Sequence, residues 1–177
     1  ISSLLFLLVL SLAIGADRGD VLGVPFITFL APGLISMQVI QQSFSHSSSS
    51  FMIGKIQGNI VDLLYAPLSA TEVTISIALA AVTRSVMIAI VSIIVFKLII
   101  DIEITNYFLL IVFTLLSSFI LGNIGIIAGL WAEKFDHMAT VTNFVIVPLS
   151  FLSGTFYSIE RLPELLQMIS KANPFFY

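Results

Sequence analysis

No cysteine occurs in the 177 residues. That excludes a disulfide framework and any thiolate metal site. Charge is nearly as scarce. Asp, Glu, Lys and Arg make up 10% of the chain, against about 25% in an ordinary soluble domain. The net charge of −3 argues against nucleic acid as a partner. A phosphate-binding glycine loop, a nucleophile elbow and an H-E-x-x-H pair are also missing. No catalytic residue is therefore assigned. What the chain has in plenty is apolar surface, with 58% of residues hydrophobic. A chain this size cannot hide that much in one core, so the solvent it suits is a bilayer. It starts at Ile1 inside an apolar run and stops at "KANPFFY", which reads as a piece of a longer membrane chain.

Crossing a hydrocarbon layer of ~30 Å takes about 20 apolar residues in a helix. Five segments compete for that role. Residues 4–15 are short for a span. A signal peptide is the rival reading there, but no basic stretch precedes them. Residues 24–44 form the second, with Pro32-Gly33 expected to kink or break it. Residues 45–72 are the longest non-spanning stretch. Their serine run has the composition of a flexible linker. Beyond it Ile56, Ile60, Leu63 and Leu64 recur at helical spacing among polar residues, which predicts a short amphipathic helix on the membrane surface. Pro67 ends that helix. Ser69 and Glu72 stand at capping-box spacing and start the next. The third and fourth spans are 73–100 and 106–131, joined by the polar turn 101–105. Tyr107 and Trp131 bound the fourth, where aromatic rings favour the headgroup zone. The fifth is 138–157. Residues 158–177 then read as an interfacial helix, with Leu162, Leu165, Leu166 and Ile169 on one face. The fold class is all-α, a polytopic helical membrane protein.

Short connections make sequential helices antiparallel. The polar turn at 132–137 then shares a side with 45–72. Positive charge does not orient the chain: Lys55 and Lys134 lie on one side, Arg18, Arg161 and Lys171 on the other.

Several polar groups fall inside or between spans. Arg84 is the one charge deep within a span. Either it is central and needs a partner or a wet cavity, or Arg84 and Lys97 snorkel to opposite surfaces. Gln38, Gln41, Gln42 and Ser45 share a helix face. They serve either interhelix hydrogen bonds or a translocation path, and Asn143 lies on a comparable stripe with Thr140, Ser150 and Gly154. Thr114, Ser118, Gly122, Gly125 and Gly129 line the fourth span, and the Gly125–Gly129 pair permits close packing. Glu133, Lys134, Asp136 and His137 crowd into "AEKFDH". Metal ligation or acid–base work is one reading of them. The other is a wet turn that collects charge expelled from two spans. No second ligand cluster exists to complete a metal site, which favours the turn.

Three stretches carry a resemblance. They are residues 29–72, "FLAPGLISMQVIQQSFSHSSSSFMIGKIQGNIVDLLYAPLSATE"; residues 129–163, "GLWAEKFDHMATVTNFVIVPLSFLSGTFYSIERLP"; and the closing "NPFFY". In order and spacing they resemble the permease subunit of type-2 ABC transporters, bacterial exporters of drugs, lipids and polysaccharides. The resemblance implies that 1–177 is one multi-pass permease domain of the bacterial inner membrane. About five of an expected six membrane helices would be present. It implies a cytosolic coupling loop over 45–72, with Lys55, Gly58, Asp62, Leu64, Pro67, Leu68 and Glu72 against an ATP-binding subunit. Glu133, Lys134 and Asp136 would lie beside them. Gln38, Gln41, Gln42 and Asn143 are the candidate path residues. Segment 158–177 would be an outer interfacial element. No cofactor is expected in the chain itself, ATP and magnesium belonging to the partner ATPase. A second permease subunit and membrane lipid complete the expected partners. The competing reading is an ion-coupled transporter or channel without an ATPase, using Arg84, Glu133, Asp136 or His137.

Overall fold

The structure, a computed structural model, describes residues 26–99, 106–151 and 167–168. All regular structure among these residues is helical. The expected span at 4–15, the turn at 101–105 and nearly all of 158–177 lie outside the described residues.

Helix α1 runs Phe26–Gln57 as one helix of 32 residues, about 48 Å long. A break at Pro32 and a flexible linker at the serine run are both absent here. Pro32 lies within α1 without ending it; the Ser36 hydroxyl bonds back to the Pro32 carbonyl at 2.9 Å. The serine run is helix rather than linker. Ser48 donates to the Ser45 carbonyl, while Ser49 and Ser50 donate to that of His46. Such back-bonding satisfies the hydroxyls without unwinding the backbone. In an apolar solvent an unwound backbone has nothing else to bond.

Gly58 ends α1 with φ +77°, the left-handed conformation that glycine adopts most easily at a helix C-terminus. Helix α2, Ile60–Tyr65, has only six residues. Ala66 before Pro67 is extended, as the proline ring requires. The capping box then forms as expected. The Ser69 N–H and hydroxyl both donate to Glu72 Oε2 at 2.8 Å, and the Glu72 N–H returns to Ser69 Oγ at 3.3 Å. Helix α3, Ala70–Ile99, follows.

Helix α4 spans Tyr107–Trp131, with the Asn106 side chain accepting from the Leu109 N–H at 3.2 Å as its N-cap. Only 132–134 separate it from α5, Phe135–Val141. The expected turn is therefore shorter, because Asp136 and His137 already belong to the first turn of α5. Helix α5 continues into one π-helical turn, Thr142–Ile146, and then α6, Val147–Phe151. The Val147 N–H reaches back five residues to the Thr142 carbonyl. Pro148 comes next and has no N–H to offer a regular ladder. Residues 152–157 of the expected fifth span lie outside the described residues.

Side-chain pairings fix the directions. Gln38 meets Ser92, Ser43 meets Ser85 and His46 meets Arg84, so α1 and α3 run antiparallel. Gly122 and Gly129 approach Ser47 and Ser48 to Phe51 in the same order, so α1 and α4 run parallel. One apolar cluster joins Ile40, Phe44 and Met52 of α1 to Leu121, Met138 and Ile146. A smaller one joins Phe51, Ala78 and Ile126. Helices α3 and α4 are long and apolar enough to cross a membrane. Their outward faces show Met87, Leu98, Phe108, Ile127 and Trp131, a surface suited to lipid.

The stripe on α4 is packing surface, and its counterpart is the serine run. A Cβ at Gly125 would lie 2.5 Å from the Phe44 carbonyl oxygen, and one at Gly129 2.8 Å from that of Ser48. At Gly122 the nearest atom would be the Ala81 Cβ at 3.4 Å. Ser47 and Ser118 have buried hydroxyls with no hydrogen-bond partner among the described residues.

Candidate functional site

The end of the bundle where α1 finishes collects most of the expected coupling residues. Asp62, Pro67, Leu68 and Glu72 are exposed there, as are Glu133, Lys134 and Asp136. The side chain of Leu64 lies outside the described residues. Gly58 is the hinge-like stop between α1 and α2. Val61, Tyr65 and Leu68 leave 47%, 85% and 51% of their surface open. Helix α2 thus presents a small apolar knob beside a charged rim. A cleft of about 90 Å³, lined by Phe51, Gly54, Ile60, Leu63 and Ile77, lies beneath it.

Lys55 was expected at this outer surface, but its head turns inward. Its ammonium donates to the carbonyls of Gly129 and Ala132 at 2.9 Å, and to that of Leu130. These are orphan carbonyls at the C-terminus of α4, where a cation is favoured by the helix dipole. All three ammonium donors are used. The pattern ties the end of α1 to the start of the 132–134 turn and places both at one end of the molecule.

The charged stretch itself forms no metal site: among the described residues no three His, Asp or Glu side chains come together. His137 packs its ring against Trp131, with centroids 5.6 Å apart. Its Nδ1 accepts from the Glu133 N–H at 3.5 Å.

The candidate path residues do not converge. Gln38 turns to α3 and accepts from the Ser92 hydroxyl at 3.4 Å. Gln41 and Gln42 are half-buried on α1. Asn143 instead lines a cavity of about 400 Å³ between α1 and the α5–π segment, with Ser45, Ser48, Ser49, Phe135, Met138, Ala139 and Thr142. Of the expected glutamine stripe only Ser45 reaches it. On the Asn143 side, Thr140 bonds to the Asp136 carbonyl and Ser150 is buried on that of Ile146. Ser48, Ser49 and Thr142 were missed. Ser45, Ser48 and Ser49 stand at i, i+3 and i+4, a helix face visible only once the serine run is taken as helix.

Arg84 has a partner. Its Nη1 lies 3.0 Å from His46 Nδ1. Arg84 is twelve residues from Glu72 and thirteen from Lys97, so it sits near the middle of α3.

A family model described as "ABC-2 type transporter" matches residues 1–177. The chain belongs to the ABC-2 type transporter family. It is a membrane permease of an ABC transporter, located in the inner membrane. The chain is 29% identical over 177 residues to the inner membrane transport permease YadH of Escherichia coli strain K12, covering 100% of this chain and 69% of that protein. The same figures hold for YadH of Escherichia coli O157:H7 and of Shigella flexneri. No solved structure matches the chain. In this ABC-2 permease, family and geometry agree on an all-helical membrane body.

Proposed function

We propose that this permease serves an ATP-driven exporter and that α2 is the element through which a separate ATP-binding subunit drives it. The observation that carries this is the exposed knob of α2 at the end that also holds Glu133, Lys134 and Asp136. A short helix held between Gly58 and the Ser69–Glu72 box transmits a push better than a loop. The push divides two ways: through the capping box into α3, and through Lys55 into the end of α4. Two permease subunits, of this chain or a close counterpart, frame the route, and alternating access moves the cargo. ATP and magnesium act on the partner.

The cavity between α1 and α5 is the proposed binding element of the route. The hydroxyl residues Ser45, Ser48, Ser49 and Thr142 and the Asn143 amide line it together with Phe135 and Met138. Such mixed linings hold amphiphiles, in keeping with a drug-like, lipid or glycan cargo. The π turn at its wall is the kind of local widening often found at working sites. Gln41 and Gln42 are proposed to join the route when the helices move.

The test pairs the full-length permease with its ATPase in proteoliposomes. Asp62→Arg should uncouple ATP hydrolysis from transport while leaving the complex folded. Unchanged transport-linked hydrolysis in Asp62→Arg and Tyr65→Asp together counts against the coupling assignment.

A further inference from the structure

Arg84 is a cation without a counter-ion among the described residues. Among the described residues the carboxylates are Asp62, Glu72, Glu133 and Asp136, all at the α2 end of the bundle, and none pairs with it. Glu72, on the same helix, is about 18 Å away along the axis. Among the described residues, the one side-chain partner of Arg84 is His46. A guanidinium only donates, so His46 Nδ1 accepts and its proton sits on Nε2. The pair therefore offers several further N–H groups and no acceptor, all at one point in mid-span. Arg84 is exposed and His46 half-buried.

A second feature starts at the same place. Met87, Val91, Ile94 and Leu98 follow Arg84 at i+3, i+7, i+10 and i+14, on one face of α3. They are 63%, 59%, 55% and 82% exposed. From Arg84 to Leu98 is about 21 Å along the axis, comparable to one extended acyl chain. A donor cluster that needs an anion thus stands at the head of an apolar track.

We propose that Arg84 and His46 bind the anionic headgroup of a lipid-like amphiphile whose chain lies along Met87, Val91, Ile94 and Leu98. This rests on the exporter reading and narrows its cargo to amphiphiles bearing a phosphate or carboxylate. The guanidinium supplies paired donors to the anion, and His46 Nε2–H adds a third. A free anion would not use the stripe, and a zwitterionic headgroup would bring its own cation against Arg84.

The experiment is native mass spectrometry of the full-length protein in detergent, with phosphatidylglycerol and phosphatidylethanolamine of matched chains added equally. The protein should retain phosphatidylglycerol in preference. Arg84→Gln should cut that retention roughly tenfold, the size of one lost charge-assisted hydrogen bond. Arg84→Lys should fall between, and Lys97→Gln should match the wild type. Met87→Trp, which leaves the charge alone, should also lower retention by obstructing the track. Equal retention of the two lipids overturns the proposal, as does Arg84→Gln binding like wild type. Competition by sodium phosphate at the affinity of the lipid overturns it in favour of a free-anion site. Disulfide-linked dimer formation by Met87→Cys overturns it in favour of a second copy on the stripe. The assay contains no ATPase, so a failure of ATP coupling leaves it unchanged, and loss of lipid preference leaves the coupling reading intact.

Discussion

Gly125 marks the tightest approach between α1 and α4. Any Cβ there meets the Phe44 carbonyl oxygen at 2.5 Å, and that atom is backbone and cannot swing away. Gly125→Ala should therefore destabilise the protein by about 1–3 kcal/mol, the usual range for overpacking. Gly122→Ala, with 3.4 Å to its nearest neighbour, should be tolerated. Thermal melting in detergent separates the two, and equal melting points contradict this packing. Ser47 makes the opposite case. Its hydroxyl is buried without a partner among the described residues, so Ser47→Ala removes a desolvated polar group and should be neutral or stabilising by about 1 kcal/mol. A clear loss of stability reveals a partner for the hydroxyl. Lys55 is the third residue-scale case. Lys55→Met leaves three α4 carbonyls without their shared donor. A hydrogen bond to a charged group contributes about 1.5–3 kcal/mol, and the lower part of that range applies to a half-buried lysine. Limited proteolysis should then cut faster between 129 and 135 than in the wild type.

At the scale of elements, α2 depends on its two stops. Gly58 holds φ +77° in open space, so Gly58→Ala costs roughly 1–2 kcal/mol through backbone strain alone, not through a clash. If α2 transmits the stroke, this variant should lower transport per ATP more than it lowers melting temperature. Matching losses in both point to plain destabilisation. The limits of α3 and α4 were readable from sequence because their signals are local: Ser69 and Glu72 at capping distance, Asn106 before an apolar run, Trp131 before a charged turn. The serine run was not readable in the same way. Its composition is that of a linker in water, where serine side chains compete with the helix ladder. In an apolar solvent those hydroxyls bond back to carbonyls one turn earlier and the helix continues. The whole α1–α4 seam follows from that change of solvent. Its glycines show as a stripe on α4, but much of the surface they meet, Ser47, Ser48 and Phe51, lies in or just after the serine run. Asn143 was legible as a polar residue on an apolar segment. The cavity it lines was not, because a π turn re-aims side chains that a regular helical period places elsewhere. Lys55 looked like an exposed coupling residue because sequence does not show the α4 carbonyls waiting for it.

For the whole molecule, the polar groups sort by depth. Among the described residues the carboxylates gather where α1 ends and α2 begins, hydroxyls line the seams, and Arg84 lies near the middle of α3 with no carboxylate beside it. In a central register, inserting this arginine costs about 2.5–3.5 kcal/mol on insertion scales, a cost that His46 only partly offsets. That layout is what a permease needs: a docking end, a packed body and polar contacts along a route. The most direct measurement is uptake into inside-out proteoliposomes holding the full-length permease and its ATPase, with ATP and the ion gradients varied separately. Transport should require hydrolysable ATP, persist when ionophores collapse the gradients, and be lost in Asp62→Arg. Transport that survives without ATP and disappears with the gradients contradicts the account.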